Sequence, residues 1–148
     1  IPMIESRATM NSASEFTQIS KELTRMPQNI LVVDDHALNR MVASATISKH
    51  FPNCQIDHAE NGQEALKKMA EQIYDVVLLD IVMPDLSGIE VLRIVRSSYP
   101  LPYSAVKTIA FTANVEMEIK YQCECTGFNG FLSKPFNAQT LIQILSQS

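Results

Sequence analysis

The sequence predicts an α/β fold of three layers, in which one five-stranded parallel sheet lies between two layers of helices. Three observations predict it: the strand-like segments are short, each is followed by a segment with helical spacing of apolar residues, and this alternation occurs five times between residues 29 and 148. Strands that alternate with helices at this spacing need right-handed crossovers, which produce a parallel sheet. Residues 29–148 are therefore expected to form one domain.

The first half of this domain contains three predicted strands and two predicted helices. The strands cover residues 29–33, 55–59 and 75–79, and the first and third are largely apolar, as expected for buried strands of a parallel sheet. The first helix begins at about Leu38 and ends at His50, because Pro52 follows. One face of this helix is apolar and is formed by Leu38, Met41, Val42 and Ala45. A second helix follows the turn at Asn61-Gly62, and its inward side chains are Ala65, Leu66, Met69 and Ile73.

The second half of the domain continues the same alternation. A third helix directs Ile89, Leu92 and Val95 to the sheet, and its outward residues are Arg93 and Arg96. The fourth strand covers residues 106–111, a fourth helix runs from about Val115 to Cys125, and the fifth strand covers residues 130–133. Asn137 can cap the last helix, whose apolar residues are Leu141, Ile142 and Leu145. With the strand order 2-1-3-4-5, this pattern corresponds to a flavodoxin-like (βα)5 three-layer sandwich.

Residues 1–28 differ from the rest and are interpreted as an N-terminal linker. They contain no strand-like run, but Ser12 and Glu15 have the spacing of a capping box, and apolar residues recur at helical spacing as far as Met26. This pattern predicts a helix that ends before Pro27. Two interpretations stay open for it: a linker helix that packs on its own domain, and the tail of a coiled coil from an upstream signalling module. Because the chain starts at Ile1 rather than at Met, residues upstream are expected to be missing.

Composition and charge exclude several function classes. The 148 residues are 46% hydrophobic and 19% charged, with a net charge of −4 and no basic stripe, so direct binding of nucleic acid is not expected. No apolar run approaches the ~20 residues of a membrane span, and the first residues lack the apolar core of a signal peptide. The three cysteines have no zinc spacing and are interpreted as reduced thiols. A soluble, cytoplasmic segment is therefore expected.

Polar residues follow the predicted strands at one edge of the sheet. Asp34 and Asp35 end the first strand, Asp80 ends the third, and the fourth and fifth end at Thr112 and Lys134. With strands one and three adjacent, three carboxylates converge in the crevice where such sheets bind ligands. Close carboxylates repel one another, so either some of them stay protonated or a cation compensates their charge. A hard divalent ion with oxygen ligands, above all Mg²⁺, fits a small acidic site of this kind.

The same side chains are suited to phosphoryl transfer. Lys134 supplies a fixed positive charge that, paired with Asp80, would keep this carboxylate ionised and nucleophilic. The Thr112 hydroxyl and the backbone amides of the loop after Asp80 can donate hydrogen bonds to phosphoryl oxygens. The reaction needs little more than this, because the protein mainly positions the reactants and neutralises charge.

On these residues, the chain from about Asn29 to Ser148 resembles a response-regulator receiver domain of two-component signalling. The motifs that carry the resemblance are Asp34-Asp35, Asp80 with the loop Met83-Pro84-x-x-x-Gly88, Thr112-Ala113, and Lys134-Pro135 followed by Phe136. The resemblance implies that Asp80 accepts a phosphoryl group from a phosphohistidine of a histidine kinase or a histidine phosphotransfer domain. It also implies that Mg²⁺ is held by Asp35, Asp80 and the carbonyl of Val82, with Asp34 acting through a metal-bound water.

A conformational switch is implied by the same resemblance. Phosphorylation of Asp80 would draw Thr112 inward, Phe131 would fill the vacated space, and the surface of the last two helices and the last strand would change. Val82 and Asn114 occupy the loop positions that influence how fast the phosphoaspartate hydrolyses in this family. Such a domain catalyses its own phosphorylation and dephosphorylation without being a stand-alone enzyme.

Several motifs are similar to those of receivers attached to hybrid sensor histidine kinases. They are Asn39-Arg40, Phe111-Thr112-Ala113-Asn114 and the segment from Gly127 to Pro135. A single-domain regulator stays open as the alternative to a segment of a hybrid kinase. A weak dimer is left open as well.

Two other functions stay open at this point. An Asp-nucleophile phosphatase of the haloacid-dehalogenase type uses similar residues, but it needs Asp-x-Asp after the first strand, where this chain has Asp34-Asp35-His36. A phosphorylation-independent interaction module would be indicated by loss of Asp80 or Lys134, and both are present. The histidines have no metal-pair spacing and are expected to be exposed or capping residues; they are His36, His50 and His58.

Overall fold

The structure of the protein, a computed structural model, describes residues 27–113 and 116–146. Within these ranges, five strands and five α-helices alternate, with a short 3-10 turn before the fourth strand. The strands are β1 (Asn29–Val33), β2 (Gln55–Ala59), β3 (Val76–Leu79), β4 (Thr108–Thr112) and β5 (Gly130–Ser133). The helices are α1 (Ala37–His50), α2 (Gly62–Glu71), α3 (Gly88–Ser98), α4 (Met117–Thr126) and α5 (Ala138–Ser146). The predicted N-terminal helix and the loop position Asn114 lie outside the described residues.

The five strands form one parallel sheet in the order β2-β1-β3-β4-β5, which confirms the predicted fold class. β1 lies between β2 and β3, so that Ile30 is aligned with Ile56 on one side and with Val76 on the other. The direction in which strands are added reverses after β2. This reversal creates a crevice at the carboxyl ends of β1 and β3, where ligands bind to sheets of this type.

Apolar side chains from the sheet form a core on each of its faces. Successive residues of a strand point to opposite faces, and the residues of β1 accordingly divide between the two cores. Leu31 and Val33 pack with residues of α2 and α3, which include Met69, Val91, Leu92 and Val95. Ile30 and Val32 pack with residues of α1 and α5, which include Ala43, Ile47, Leu141 and Leu145. Because both faces are covered, β1 and β3 consist almost entirely of buried apolar residues.

The apolar face predicted for α1 is largely exposed, and this prediction is wrong. Leu38 is 69% exposed, Met41 is 64% exposed and Val42 is 47% exposed. The residues that face the core are instead Ala43 and Ile47. Since α1 carries apolar residues on more than one side, their spacing alone does not determine which side packs against the sheet.

Two further predictions, about which side chains of the helices face the core and which face solvent, are also wrong. Ile73 lies beyond the end of α2 and is exposed, although Ala65 and Met69 are buried as predicted. Arg96 of α3 was predicted to point outward, but it is half-buried. Its guanidinium donates hydrogen bonds to the carbonyls of Ser104 and Gly127, at 2.8 Å each. These acceptors hold Arg96 between α3, the 3-10 turn and the end of α4.

Candidate functional site

The polar residues at the strand ends are positioned by the backbone pairing of the sheet. Asp34, Asp80 and Lys134 directly follow β1, β3 and β5. Each backbone amide still bonds to a neighbouring strand or its end: Asp34 N to Ala59 O at 3.1 Å, Asp80 N to Val33 O at 3.0 Å, and Lys134 N to Thr112 O at 2.9 Å. The sheet therefore brings these side chains to one edge, as the sequence predicted.

Lys134 lies between two buried carboxylates. Its ammonium forms a close hydrogen-bonded ion pair with Oδ2 of Asp34, a residue that is fully buried. The same Nζ atom lies 3.4 Å from Oδ2 of Asp80. The sequence predicted a pairing of Lys134 with Asp80 alone, whereas the structure has the lysine nearer to Asp34. One positive charge thus compensates two negative charges only in part, which leaves the site with an excess of negative charge.

The carboxyl group of Asp80 has a raised pKa. Its pKa is about 6, because burial and the negative charge of Asp34 raise it by more than Lys134 lowers it, and burial is the largest of these effects. Such a carboxyl group exchanges its proton near neutral pH. The result agrees with the expectation that close carboxylates either stay protonated or need a cation.

Contacts at both of its ends fix the loop that follows Asp80. The backbone amide of Val82 donates to Oδ1 of Asp80 at 3.3 Å, and the amide of Gly88 donates to the carbonyl of Ile81 at 2.9 Å. Gly88 packs so closely that a Cβ atom there would lie 2.2 Å from the carbonyl oxygen of Asp80. A side chain at position 88 would therefore displace the loop or the strand end.

Asp85, in the middle of this loop, ties it to the beginning of α2. Its two carboxylate oxygens accept hydrogen bonds from the backbone amides of Gly62 and Gln63, at 3.0 Å each. Amides in the first turn of a helix have no partner within the helix, and a negative charge there is favourable. Sequence reasoning did not single out Asp85, although an acidic residue in this loop could have been considered as a cap.

Asp35 carries the clearest sign that the site is incomplete without a cation. Its Oδ1 atom is buried and accepts no hydrogen bond, although Nδ1 of His36 lies 3.1 Å away. A buried acceptor without a partner is unfavourable, and a bound cation would remove this cost. The ligand atoms of Asp34, Asp35 and His36 all lie within 4.8 Å of one another. The residues of the site therefore fit a divalent cation.

The residues predicted to form the switch are placed as follows. Thr112 ends β4 and is buried. Phe131 of β5 is half-buried, and the ammonium of Lys120 on α4 lies 5.3 Å from the centre of its ring. This distance is within the range of a cation–π interaction, which would stabilise the ring in this position. The switch roles of Thr112 and Phe131 stay predictions.

An apolar groove of about 220 Å³ adjoins the site at Lys134. Its walls come from α1 and from the segment after β5, and they include Leu38, Val42, Pro135 and Phe136. Two of these residues, Leu38 and Val42, belong to the exposed apolar side of α1. The groove was not predicted from the sequence, because it depends on which side of α1 faces the sheet.

The comparison with known protein families agrees with the geometry of this edge. Residues 30–146 match the family described as the response regulator receiver domain. The chain belongs to this family. The match covers β1 from Ile30 onward, the other four strands completely, and the carboxylates and lysine at the strand ends.

Among curated proteins, Histidine kinase 5 of Arabidopsis thaliana is 30% identical to the chain over 170 residues. The alignment covers 97% of this chain but only 18% of that protein. This chain thus spans less than a fifth of the length of this relative.

Two solved structures show the same fold. The receiver domain of sensor histidine kinase PA1611 from Pseudomonas aeruginosa PAO1, with a magnesium ion coordinated in its active site cleft, is 30% identical, with a TM-score of 0.71; the match covers 80% of this chain and 93% of that one. The co-crystal structure of the Saccharomyces cerevisiae histidine phosphotransfer signaling protein Ypd1 and the receiver domain of Ssk1 contains a chain that is 28% identical, with a TM-score of 0.72. That match covers 82% of this chain and 88% of that one.

Among the described residues of the receiver domain, none of the helices has the length and apolar character needed to cross a bilayer.

Proposed function

We propose that this receiver domain acts in a phosphorelay, in which Asp80 accepts a phosphoryl group from a phosphohistidine of a partner protein. The observation that carries the proposal is the buried Asp80 carboxylate, which lies 3.4 Å from Nζ of Lys134 at the ligand-binding edge of the sheet. The proposal is specific to this aspartate because Asp34, the other buried carboxylate, is already paired with Lys134 and with a backbone amide.

Asp35, Asp80 and the carbonyl of Val82 would hold Mg²⁺, and Asp34 would contribute through a water. Oxygen ligands and retained waters are the coordination that Mg²⁺ prefers. The unpartnered Oδ1 of Asp35 and the excess negative charge around Lys134 support this assignment. When bound, the ion would supply positive charge for the equatorial oxygens of the transferred group.

The remaining roles follow from positions at the strand ends. An oxygen of Asp80 attacks phosphorus, the P–N bond to the histidine breaks, and its electron pair stays on the leaving imidazole. Lys134 favours the ionised, nucleophilic form of Asp80 and can then donate a hydrogen bond to the phosphoryl group. Thr112 would donate from its hydroxyl to another phosphoryl oxygen, and its displacement would start the switch that involves Phe131.

The partner would be a histidine kinase or a histidine phosphotransfer domain that docks on the groove beside Lys134. A histidine on a helix of the partner must approach Asp80 from this edge, and the exposed side chains of Leu38 and Val42 offer apolar surface there. We place the domain in a hybrid sensor histidine kinase. Its similarity to Histidine kinase 5 and to the receiver of sensor histidine kinase PA1611 supports this placement.

Incubation with Mg²⁺ and acetyl phosphate, followed by intact-mass measurement, tests the proposal. The wild-type chain is expected to gain one phosphoryl group only when Mg²⁺ is present, and Asp80→Asn is expected to gain none. Asp75→Asn is the matched control, because Asp75 accepts backbone hydrogen bonds at the opposite end of the sheet. This control should be phosphorylated like the wild type. A gain that persists in Asp80→Asn would overturn the assignment, and no gain in any variant would favour a phosphorylation-independent interaction module.

A further inference from the structure

The solvent side of α1 carries a stripe of apolar residues. These residues recur three and four positions apart, which places them on one side of the helix, and all of them are exposed. They are Leu38, Met41, Val42 and Ala45. The core residues of α1, Ala43 and Ile47, lie on the opposite side. The stripe therefore faces away from the sheet and offers a surface on which another helix can pack.

The segment that precedes β1 has an apolar stripe of the same kind in its sequence. After the capping-box residues Ser12 and Glu15, apolar side chains recur at helical spacing at Phe16, Ile19 and Leu23. The residues between these three positions are polar or charged. A predicted helix with one apolar side needs a surface to pack on, and the solvent side of α1 has the matching spacing.

The charges of the two segments are complementary. α1 contains no Asp or Glu, and Lys49 is exposed in its last turn. In the predicted helix, Glu22 lies three residues after Ile19 and thus beside the apolar stripe, whereas Lys21 lies on the opposite side. When the two stripes pack together, Glu22 therefore lies toward Lys49, and the ammonium of Lys21 stays in solvent.

The described chain begins at the end of the sheet where α1 ends. The amide of Gln28 donates to Oδ2 of Asp75 at 2.6 Å, and the carbonyl of Gln28 accepts from the amide of Gln55 at 2.8 Å. The chain needs five residue steps from His50, the end of α1, to Gln55, and the same number separates Leu23 from Gln28. Five extended steps span about 17 Å, so Leu23 can lie beside the last turn of α1.

From this position the two stripes match in length and direction. Phe16 and Leu23 are seven residues apart, as are Val42 and Lys49, and seven helical residues cover about 10.5 Å. With Leu23 beside the last turn of α1, Phe16 lies beside Val42. Val42 also lines the groove that adjoins Lys134. The segment thus reaches the surface on which the phosphodonor is proposed to dock.

We propose that residues 13–23 pack as a helix on the solvent side of α1 and cover part of this docking surface, with residues 24–27 as an extended connector. A segment tethered by so short a connector competes at an effective concentration of about millimolar, so a modest affinity keeps the surface covered in most molecules. The partner must displace the segment, which lowers its apparent affinity in proportion to the fraction of molecules whose surface is free. The inference rests on the proposed function only for this competition.

Methyl NMR of the full chain, labelled at methionine and without a phosphodonor, tests the packing. Met41 lies on the stripe and is 64% exposed, so the ring of Phe16 is expected to shift its methyl resonance. Phe16→Leu keeps an apolar side chain but removes the ring, and should move the Met41 resonance. The double variant Phe16→Ser, Leu23→Ser should move it as well. Gln18→Ser, on the polar side of the predicted helix, is the matched control and should leave it unchanged.

The rate of phosphotransfer from a phosphorylated histidine phosphotransfer domain measures the competition. At donor concentrations below saturation, the double variant should react about threefold faster than the wild type or more, because the surface is then free in all molecules. Gln18→Ser should react at the wild-type rate. Phosphorylation by acetyl phosphate should be equal in all three chains, because this small donor does not use the surface of α1.

Three outcomes would overturn the inference. A Met41 resonance that is the same in the wild type and in the double variant would exclude packing on α1. A shift of this resonance that grows with protein concentration would show instead that the segment binds a second copy of the chain. Equal rates of phosphotransfer in the wild type and the double variant would exclude the competition. Since the Met41 measurement requires no phosphorylation, its failure is distinguishable from failure of the proposed function.

Discussion

Helices α1 and α3 lie on opposite faces of the sheet, and they use their apolar residues differently. α3 buries most of its apolar side chains, namely Ile89, Val91, Leu92 and Val95. α1 is longer but buries only Ala43 and Ile47. Its larger apolar side chains, Leu38 and Met41, are more than half exposed. α3 therefore stabilises the fold through its own packing, while α1 leaves apolar surface that a partner can cover.

The exposed apolar side of α1 lies next to the candidate site. Leu38 and Val42 line the groove that adjoins Lys134, whereas α3 presents Arg93 to solvent on its outer side. An apolar surface next to a reactive site is expected to be covered when the phosphodonor docks. Substitutions in the two helices should therefore separate the stability of the fold from the recognition of a partner.

The largest effect is expected for Leu92→Ala in α3. The Leu92 side chain is fully buried, and its truncation leaves a cavity in the core between the sheet and helices α2 and α3. The free energy of unfolding, measured with urea, should fall by about 2–5 kcal/mol. Leu38→Ala in α1 is the matched control and should change this free energy by less than about 0.5 kcal/mol. Equal losses in the two variants would remove the distinction between the helices.

The reverse order is expected for phosphotransfer. The double variant Leu38→Ser, Val42→Ser should slow phosphotransfer from a phosphorylated histidine phosphotransfer domain by roughly tenfold, which corresponds to about 1.4 kcal/mol. Phosphorylation by acetyl phosphate serves as the reference reaction, because this small donor needs no apolar docking surface. Leu101→Ser, at a similarly exposed leucine in the turn after α3, should transfer at the wild-type rate. A loss of equal size in Leu101→Ser would contradict docking on α1.

These two helices also show how far the sequence predicts the fold. The order of elements, the parallel sheet and the buried residues of α3 could be predicted, because apolar and polar residues are well separated there. The packing side of α1 could not be predicted, since apolar residues lie on more than one of its sides. Arg96 was assigned to the surface for its charge, but carbonyls at the ends of other elements accept its hydrogen bonds.

At the site, the sequence predicted which residues meet but not how they interact. The strand ends bring Asp34, Asp80 and Lys134 to one edge as expected, because the sheet order determines this edge. The closer pairing of Lys134 with Asp34, and the unpartnered oxygen of Asp35, depend on side-chain positions that spacing does not contain.

Asp85→Asn is expected to loosen the loop that precedes α3. The amide side chain carries no charge and can accept only through one oxygen. The free energy of unfolding should therefore fall by about 1 kcal/mol. Mg²⁺ affinity, measured by calorimetry, should weaken several-fold as well, because the same loop carries the Val82 carbonyl. Asp75→Asn also removes a carboxylate that accepts two backbone amides at the far end of the sheet, but one oxygen accepts both of them and the Asn oxygen can do the same. It should reduce stability less than Asp85→Asn and leave Mg²⁺ binding unchanged, and a loss of Mg²⁺ affinity in both variants would contradict the role of the loop.

The smallest effect concerns a polar attachment of α1, the hydrogen bond between Ser44 and His58 of β2. Burial lowers the pKa of His58 from its ordinary value of 6.5, Arg40 and Lys68 lower it further, and Asp57 opposes them. The neutral imidazole is thus favoured in the folded state. Stability from this group is complete above the ordinary pKa and is lost as the pH falls through 6.5 toward the lower folded value, because the unfolded chain takes up the proton first.

His58→Gln isolates this contribution, since the amide nitrogen of Gln can occupy the place of Nε2 next to Ser44. The unfolding free energy of the wild type minus that of the variant should be lower at pH 5.5 than at pH 7.5. The change should be less than about 1 kcal/mol, because solvent screens a half-buried group. The comparison must be made as a difference, because the raised pKa of Asp80 acts in the opposite direction over the same range. A difference that does not change with pH would show that protonation of His58 contributes nothing to the attachment of α1, and would bring this attachment closer to the apolar packing of α3.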